Sequence, residues 1–274
     1  MDSEVVVVIG VGGMGLAIAR RTGPGRRVLL ADFHEPTLTA AADLLRGEGH
    51  DVRTRVVDVS DPASVAESAL AAAELGRVTH VVHTAGLSPA QASASAIVQV
   101  DLIGVALVLE EFGRVVAAGG AGVVIASMAG HMAPPMPGEQ ERALAVTPAR
   151  ELAGLAFLGP DAVAEPALAY VIAKRANIVR VQAAAGAWGR RGARINSISP
   201  GVISTPMGRT ELDGDSGAGM RAMVEASATG RLGTPDDIAA AAGFLLDSAA
   251  FVTGTDLLVD GGVVAAMRTQ AWAG

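Results

Sequence analysis

Cysteine is absent from this chain of 274 residues, and lysine and tyrosine occur once each. Without cysteine there is neither a disulfide framework nor a thiolate metal site, a composition that fits a reducing compartment. Aromatic residues are scarce too, five Phe, two Trp and the single Tyr. A core has to be assembled from Val, Ile, Leu, Ala and Met, with glycine at the turns. No apolar run approaches the ~18 residues of a membrane span; the opening MDSEVVVVIG starts acidic and is soon broken by glycines. The formal net charge is −7 and the arginines are scattered, which gives a phosphate backbone nothing to track. These absences argue against nucleic-acid and membrane partners, and a soluble, cytoplasmic protein is expected.

What is present is a rhythm. EVVVVIG, RRVLLAD, DVRTRVVDV, RVTHVVHTAG and GAGVVIAS are β-branched and strand-length, and each is followed by a longer Ala-rich stretch of helical character. Strands separated by helix-length segments predict βαβ units in an α/β fold, a doubly wound parallel sheet flanked by helices, in a single domain. The rhythm breaks once, between His131 and Ala169, where six of the 13 prolines fall and two short helices are expected. An irregular connection of that length inside a compact domain is expected to be functional, here as a substrate lid. Beyond it come a helix through Tyr170 to about Trp188, the strand ARINSIS, a Pro/Gly loop, two helices and the strand TDLLVDGG.

Gly10, Gly12 and Gly15 form a G-x-G-x-x-G directly after the first strand and at the start of MGLAIARR. In a glycine-rich chain such a match can be a turn and nothing more. The strand before it and the helix after it favour a pyrophosphate site, where glycine permits close backbone approach and a helix start offers unpaired N–H groups. Asp32 ends the second strand, about 20 residues past the loop, where a carboxylate accepts two ribose hydroxyls. It would also repel a 2′-phosphate, and no basic residue in the loop compensates. NAD is therefore expected over NADP, with a plain turn aspartate as the competing reading of Asp32.

Tyr170 and Lys174, four residues apart, share one helix face. Alone, that spacing usually means a core tyrosine beside a solvated lysine. Yet the chain uses twenty arginines against one lysine, so a plain cation here would be Arg. Together with VIGVGGMG, VVHTAG, VIASMAG, RINSISPGVISTP and LLVDGG, the pair makes the chain resemble the short-chain dehydrogenase/reductase family, from the first strand to near the last residues.

The resemblance implies a Rossmann-type fold and a set of roles. Tyr170 would be the general acid/base, Lys174 would lower its pKa and hold the nicotinamide ribose, and Ser127 would bind the substrate oxygen. Gly10, Gly12, Gly13, Met14 and Gly15 would cradle the pyrophosphate, and Asp58 and Val59 would face the adenine. Thr84, Ala85 and Gly86 would wall the groove, and Ile203 and Thr205 would grip the carboxamide. A free tyrosine titrates near 10, and bringing it to about 7 takes roughly 4 kcal/mol in favour of the phenolate, which a close, partly desolvated ammonium can supply.

Four departures stand out. The glycine loop is one residue shorter than the family's T-G-x-x-x-G-I-G; His83 stands where Asn is common; Asp101, in VDLIGV, replaces the usual Asn at a catalytic position; and an insertion separates Ser127 from Tyr170. An ionised Asp101 would hold a relay water yet oppose phenolate formation. The reading is an NAD(H)-dependent oxidoreductase interconverting a secondary alcohol and a ketone. An apolar substrate is expected, because the insertion is rich in Ala, Leu, Met and Pro, and the resemblance implies a steroid-like or terpenoid alcohol. The resemblance also implies a homotetramer, or a homodimer if the insertion restricts assembly. The rival is a non-catalytic dinucleotide-binding sensor or scaffold protein, supported by Asp101 and His83. Carbon–carbon double-bond reduction is disfavoured, since such relatives space Tyr and Lys more widely. The five histidines offer no helical ligand pair, so no metal is expected. His131 is read as an exposed loop histidine or a substrate contact. Met128, Met132 and Met136 would line an apolar pocket or fill gaps under the lid.

Overall fold

Every β-branched run becomes a strand of one parallel sheet in the computed structural model, which describes residues 3–273. The strands are β1 (Glu4–Ile9), β2 (Arg27–Asp32), β3 (Asp51–Val56), β4 (Arg77–His83), β5 (Ala121–Ile125), β6 (Arg194–Pro200) and β7 (Asp256–Val259). Their spatial order is β3-β2-β1-β4-β5-β6-β7. The chain starts in the middle, winds out to β3 and returns to β4, so its direction reverses between β1 and β4. At such a switch point the loops diverge beyond the carboxyl ends of the strands and leave a crevice for a ligand.

The helices are α1 (Gly13–Thr22), α2 (Glu35–Gly47), α3 (Pro62–Leu75), α4 (Ala94–Ile97), α5 (Val105–Val115), α6 (Gly138–Val146), α7 (Pro166–Arg190), α8 (Pro206–Asp213), α9 (Gly217–Ala226), α10 (Pro235–Gly243) and α11 (Val263–Ala273). Alternate β1 side chains serve two cores. Val5, Val7 and Ile9 pack with residues of α3, α5 and α7, whereas Val6 and Val8 pack with α1, α2 and α10. Both faces are covered, which is why β1 shows no polar alternation. Each valine buried there contributes about 1.5 kcal/mol or more, and an Asp at Val7 would strand a charge at the sheet centre.

The connection from His131 to Ala169 holds α6 and two 3₁₀ helices, Ala149–Gly154 and Ala156–Leu158, one helix more than the two short ones expected. Its Leu144, Ala149, Leu152, Leu158 and Val163 are buried in the same core as α5 and α7. Polar ties fix it further. Arg180 of α7 donates to the carbonyls of Leu144 and Thr147 at 2.8 and 2.9 Å. The Ala149 N–H donates to Glu110 of α5 at 2.8 Å, and Arg175 pairs with Glu141. Among the described residues no helix is long and apolar enough to cross a membrane.

Candidate active site

The β1–α1 turn depends on glycine at two points. Gly10 has φ 93°, and a Cβ there would run into the backbone of Ala85; one at Gly15 would run into the carbonyl of Gly10. At Gly12, by contrast, a Cβ would meet nothing within 4 Å, because the residue faces the open cleft. The helix behind it starts at Gly13 without a side-chain cap, so its first N–H groups are free to receive an anion. The turn therefore fits the pyrophosphate of a dinucleotide despite its missing residue.

The cleft has two adjoining lobes. One, of about 540 Å³, is lined by Gly10, Gly12, Asp32, Asp58, Val59, Thr84, Ala85 and Gly86, with Phe33 and His34 at its edge. The Asp32 carboxylate is fixed there, accepting from Val11 N–H at 2.8 Å and from His34 N–H at 2.9 Å. The Thr84 hydroxyl donates to the Gly10 carbonyl at 2.5 Å and ties the two walls together. The other lobe, of about 370 Å³, is lined by Gly12, Gly13, Met14, Gly15, Asp101, Tyr170, Lys174 and Thr205. The Ile203 side chain is buried in the core with α1 and α10, while its carbonyl accepts from the Thr205 N–H at 2.8 Å.

Ser127 reaches Tyr170 by a close approach of backbone. It follows β5 and accepts from the Ala129 N–H at 3.2 Å, capping a 3₁₀ turn over Met128–His131. At Gly130 in that turn a Cβ would stand 2.8 Å from the Lys174 carbonyl, so only glycine lets the turn lie on α7. The Ser127 hydroxyl is thereby brought to the side of the Tyr170 phenol, whose pKa it helps to lower. One helical turn along, Lys174 Nζ lies 5.2 Å from the centroid of the Tyr170 ring.

Asp101 sits in a π-helical turn, Val98–Gly104, between α4 and α5. The extra residue of such a turn displaces the helix surface and is common at functional sites. Asp101 is wholly buried; its Oδ2 lies 2.9 Å from Lys174 Nζ, and its Oδ1 accepts from Leu87 N–H at 2.7 Å. The ion pair lies against Gly86, where a Cβ would stand 3.1 Å from Asp101 Oδ2 and 3.3 Å from Lys174 Nζ.

These contacts set the charges. Burial would lower the Lys174 pKa, but the Asp101 carboxylate, then the phenol, hold it above its ordinary value. Burial pushes the Asp101 carboxyl up, opposed by Lys174 and by the Leu87 N–H. Tyr170 departs from the simple expectation. Burial pushes its phenol up, Lys174 and the Ser127 hydrogen bond pull it down, and Asp101 and Glu211 add to the rise, so that it ends above its ordinary value. The ammonium acts in the expected direction, but burial outweighs it. His83, wholly buried behind the site, is lowered to about 3 by burial and then by the Lys174 charge. Neither of its ring nitrogens has a hydrogen-bond partner among the described residues.

Several side chains differ from their reading in the sequence or were not singled out there. His131 is not a free loop residue: its Nε2 lies 2.7 Å from Asp256, which also accepts from Ser197 and Ser199. Met128 and Met132 join Met220 and Met223 of α9 in an apolar cluster beside Ser127, whereas Met136 packs on the main core. Glu211 of α8, a half-buried acid that acts on the Tyr170 phenol, had no motif to mark it. Its one sequence signal is a place one helical turn beyond Met207, which lines both lobes.

Known proteins give a consistent picture. Residues 4–138 match the family model described as short chain dehydrogenase, and residues 140–264 the model described as enoyl-(acyl carrier protein) reductase. The chain is 42% identical to the short-chain dehydrogenase/reductase bsc3 of Alternaria brassicicola, over 97% of each chain. It is 32% identical to the D-threitol dehydrogenase of Mycolicibacterium smegmatis, over 96% of this chain and 93% of that one. The solved structure of levodione reductase superposes with a TM-score of 0.76 at 27% identity, covering 96% of this chain and 98% of that one.

Proposed function

The chain belongs to the short-chain dehydrogenase/reductase family, and from that premise we propose that it interconverts a secondary alcohol and a ketone using NAD(H) in preference to NADP(H). The observation that carries this reading is that Tyr170 and Lys174 line the same lobe as the glycine turn, with Lys174 Nζ 5.2 Å from the centroid of the phenol ring. In oxidation, Ser127 and Tyr170 hold the substrate hydroxyl, and the ionised phenol takes its proton as the carbon–oxygen double bond forms and the carbon–hydrogen bond breaks. A nicotinamide, whose ribose Lys174 and whose carboxamide Thr205 would hold, would supply the hydride acceptor, or the donor in the reverse direction. Lys174 keeps a positive charge beside the phenolate, and Asp101 anchors Lys174. The relatives' names, D-threitol dehydrogenase and levodione reductase, support chemistry at an alcohol or a ketone.

NAD is favoured by Asp32, whose fixed carboxylate at the lobe edge suits two ribose hydroxyls and opposes a phosphate. An apolar substrate is supported by the methionines beside Ser127. The insertion between Ser127 and Tyr170 borders the substrate at its start, through Met132, while its helices cover part of the outer faces of α5 and α7. That cover supports a homodimer over a homotetramer, which light scattering would decide. Shortening the insertion should change KM or specificity and leave NADH binding nearly intact.

The test is a screen of secondary alcohols and ketones with NAD(H) and NADP(H). Turnover of none of them, with a measurable Kd for NADH, would favour the non-catalytic sensor or scaffold. A second reading, reduction of a carbon–carbon double bond, is named in the description of the model matched by residues 140–264. A conjugated enone in the same screen separates the two by which bond is reduced.

A further inference from the structure

The lobe that holds Asp32 has one basic side chain on its wall, and the proposed chemistry leaves it idle. Among the described residues lining that lobe, His34 alone can carry a positive charge. It adjoins the carboxylate that selects the cofactor, for its N–H donates to Asp32 Oδ1 at 2.9 Å. A group carried on a ribose oxygen at Asp32 therefore enters the space that His34 borders. The imidazole is turned to the start of α2: Nδ1 lies 2.8 Å from Thr37 Oγ1 and accepts from the Thr37 N–H at 3.4 Å. Thr37 in turn lines both lobes. Histidine is an unusual cap, since Ser, Thr, Asp and Asn hold the first N–H groups of a helix without changing charge near neutral pH. The charged side chains around it are all acids. They are Asp32 at the end of β2, Glu35 in the first turn of α2, and Asp58 after β3, whose Oδ1 accepts from the Ser60 hydroxyl and N–H at 2.6 and 2.9 Å. The glycine turn and α8 add only the uncharged Gly12 and Met207 to this lobe.

We infer that His34 is a second cofactor-specificity residue, which sets how firmly NADP is refused and relaxes that refusal at mildly acidic pH, when the imidazole takes a proton. The inference deepens the NAD reading above and rests on it. A neutral His34 accepts from the α2 backbone and leaves the rim with carboxylates alone, so a 2′-phosphate meets only repulsion. An imidazolium has two donors and no acceptor. Its Nδ1–H turns to the Thr37 hydroxyl, the Thr37 N–H is released at a helix start that favours anions, and a positive charge stands beside Asp32. A 2′-phosphate gains both, whereas the hydroxyls of a plain ribose need Asp32 and gain neither. His34 is exposed, so its protonation requires no opening of the fold.

Calorimetric titration with NAD and NADP, in their acid-stable oxidised forms at low ionic strength, tests this between pH 8 and 5.5 on the unmodified protein, His34→Asn and His34→Arg, each shown by circular dichroism to be folded. Asn keeps a cap and cannot take the proton; Arg carries its charge throughout. The 2′-phosphate itself gains a proton near pH 6, equally in every variant, so the quantity compared is the change in the ratio of Kd for NADP to Kd for NAD. On acidification that ratio should fall by at least about fivefold more in the unmodified protein than in His34→Asn, the scale of one hydrogen bond to a charged group. His34→Arg should already show the low ratio at pH 8. Equal falls in the unmodified protein and His34→Asn, or a ratio at pH 8 that His34→Arg leaves unchanged, overturn the inference. Equal affinities of the unmodified protein for the two cofactors at pH 8 would sink the NAD preference instead, and His34 then keeps its role only if the tightening of NADP on acidification is lost in His34→Asn. Binding of neither cofactor at any pH overturns both.

Discussion

Lys174 is paired with Asp101: Nζ and Oδ2 lie 2.9 Å apart, with the two side chains 6% and 0% exposed. The only lysine of the chain therefore divides its field between a carboxylate and the Tyr170 phenol. In so dry a setting burial raises the pKa of the phenol, Lys174 lowers it and Asp101 raises it again.

Replacing Asp101 by Asn removes a charge that raises the Tyr170 pKa. The base form of Tyr170 is needed for alcohol oxidation, so the limb of the kcat/KM profile that rises as the phenol ionises, and with it the alkaline optimum, should move to lower pH, by about one unit. The profile between pH 6 and 11 checks this. Loss of activity at every pH in a folded variant would mean that the carboxylate itself carries a proton.

Lys174→Arg and Tyr170→Phe should each lower kcat/KM by at least about a hundredfold, some 2.7 kcal/mol in the transition state. The planar guanidinium cannot fill a slot shaped for a compact ammonium between Asp101, Gly86 and the phenol. Titration with NADH should separate the two variants: Tyr170→Phe keeps its affinity, whereas Lys174→Arg weakens it. Near-normal turnover in either one would remove the pair from the chemistry.

Asp32→Ala should weaken NADH binding and narrow its margin over NADPH, since the variant neither accepts ribose hydroxyls nor repels a phosphate. Fluorescence titration of both cofactors measures the margin. Equal affinities in the unmodified protein would show that Asp32 only braces Val11 and His34.

His83 makes acid stability testable. Its pKa falls from 6.5 in the unfolded chain to about 3 in the folded one, so below pH 6.5 the unfolded state binds the extra proton. Stability is then lost progressively as the pH falls from 6.5 towards 3, by a few kcal/mol once the shift is spanned. His83→Asn should flatten the fall of melting temperature between pH 6.5 and 4. A slope equal to that of the unmodified protein would show that His80 and the carboxylates dominate acid unfolding.

The strands and the glycine turn were legible because the physics behind them is local. A strand buried on both faces must be apolar throughout, as in EVVVVI, and the turn after it can only be glycine where Gly10 and Gly15 meet neighbouring backbone. Burial of His83 was within reach as well, since it shares the sheet face of Val81 at a spacing of two. Three features were out of reach. Nothing in VQVDLIG marks a π-helical turn, so Asp101 could be expected to hold a water but not to grip Lys174 directly. Motif spacing locates Ile203 near the cofactor without fixing which way its side chain points. His131 and Asp256 meet only because β7 returns beside β6, a long-range event no short window contains.

The contact of Gly130 with the Lys174 carbonyl has a consequence for how such a site diversifies. Ser127 is aimed by the end of β5 and Tyr170 by α7, and the two supports touch directly, so the chain between them is a detour and not a strut. It is also moored to α7 through Arg175 and Arg180, on side chains other than Tyr170 and Lys174. A lineage could lengthen, shorten or rewrite that detour without re-aiming the hydroxyl or the phenol. The reaction and the accessory surface can thus be inherited as separate traits of a single chain.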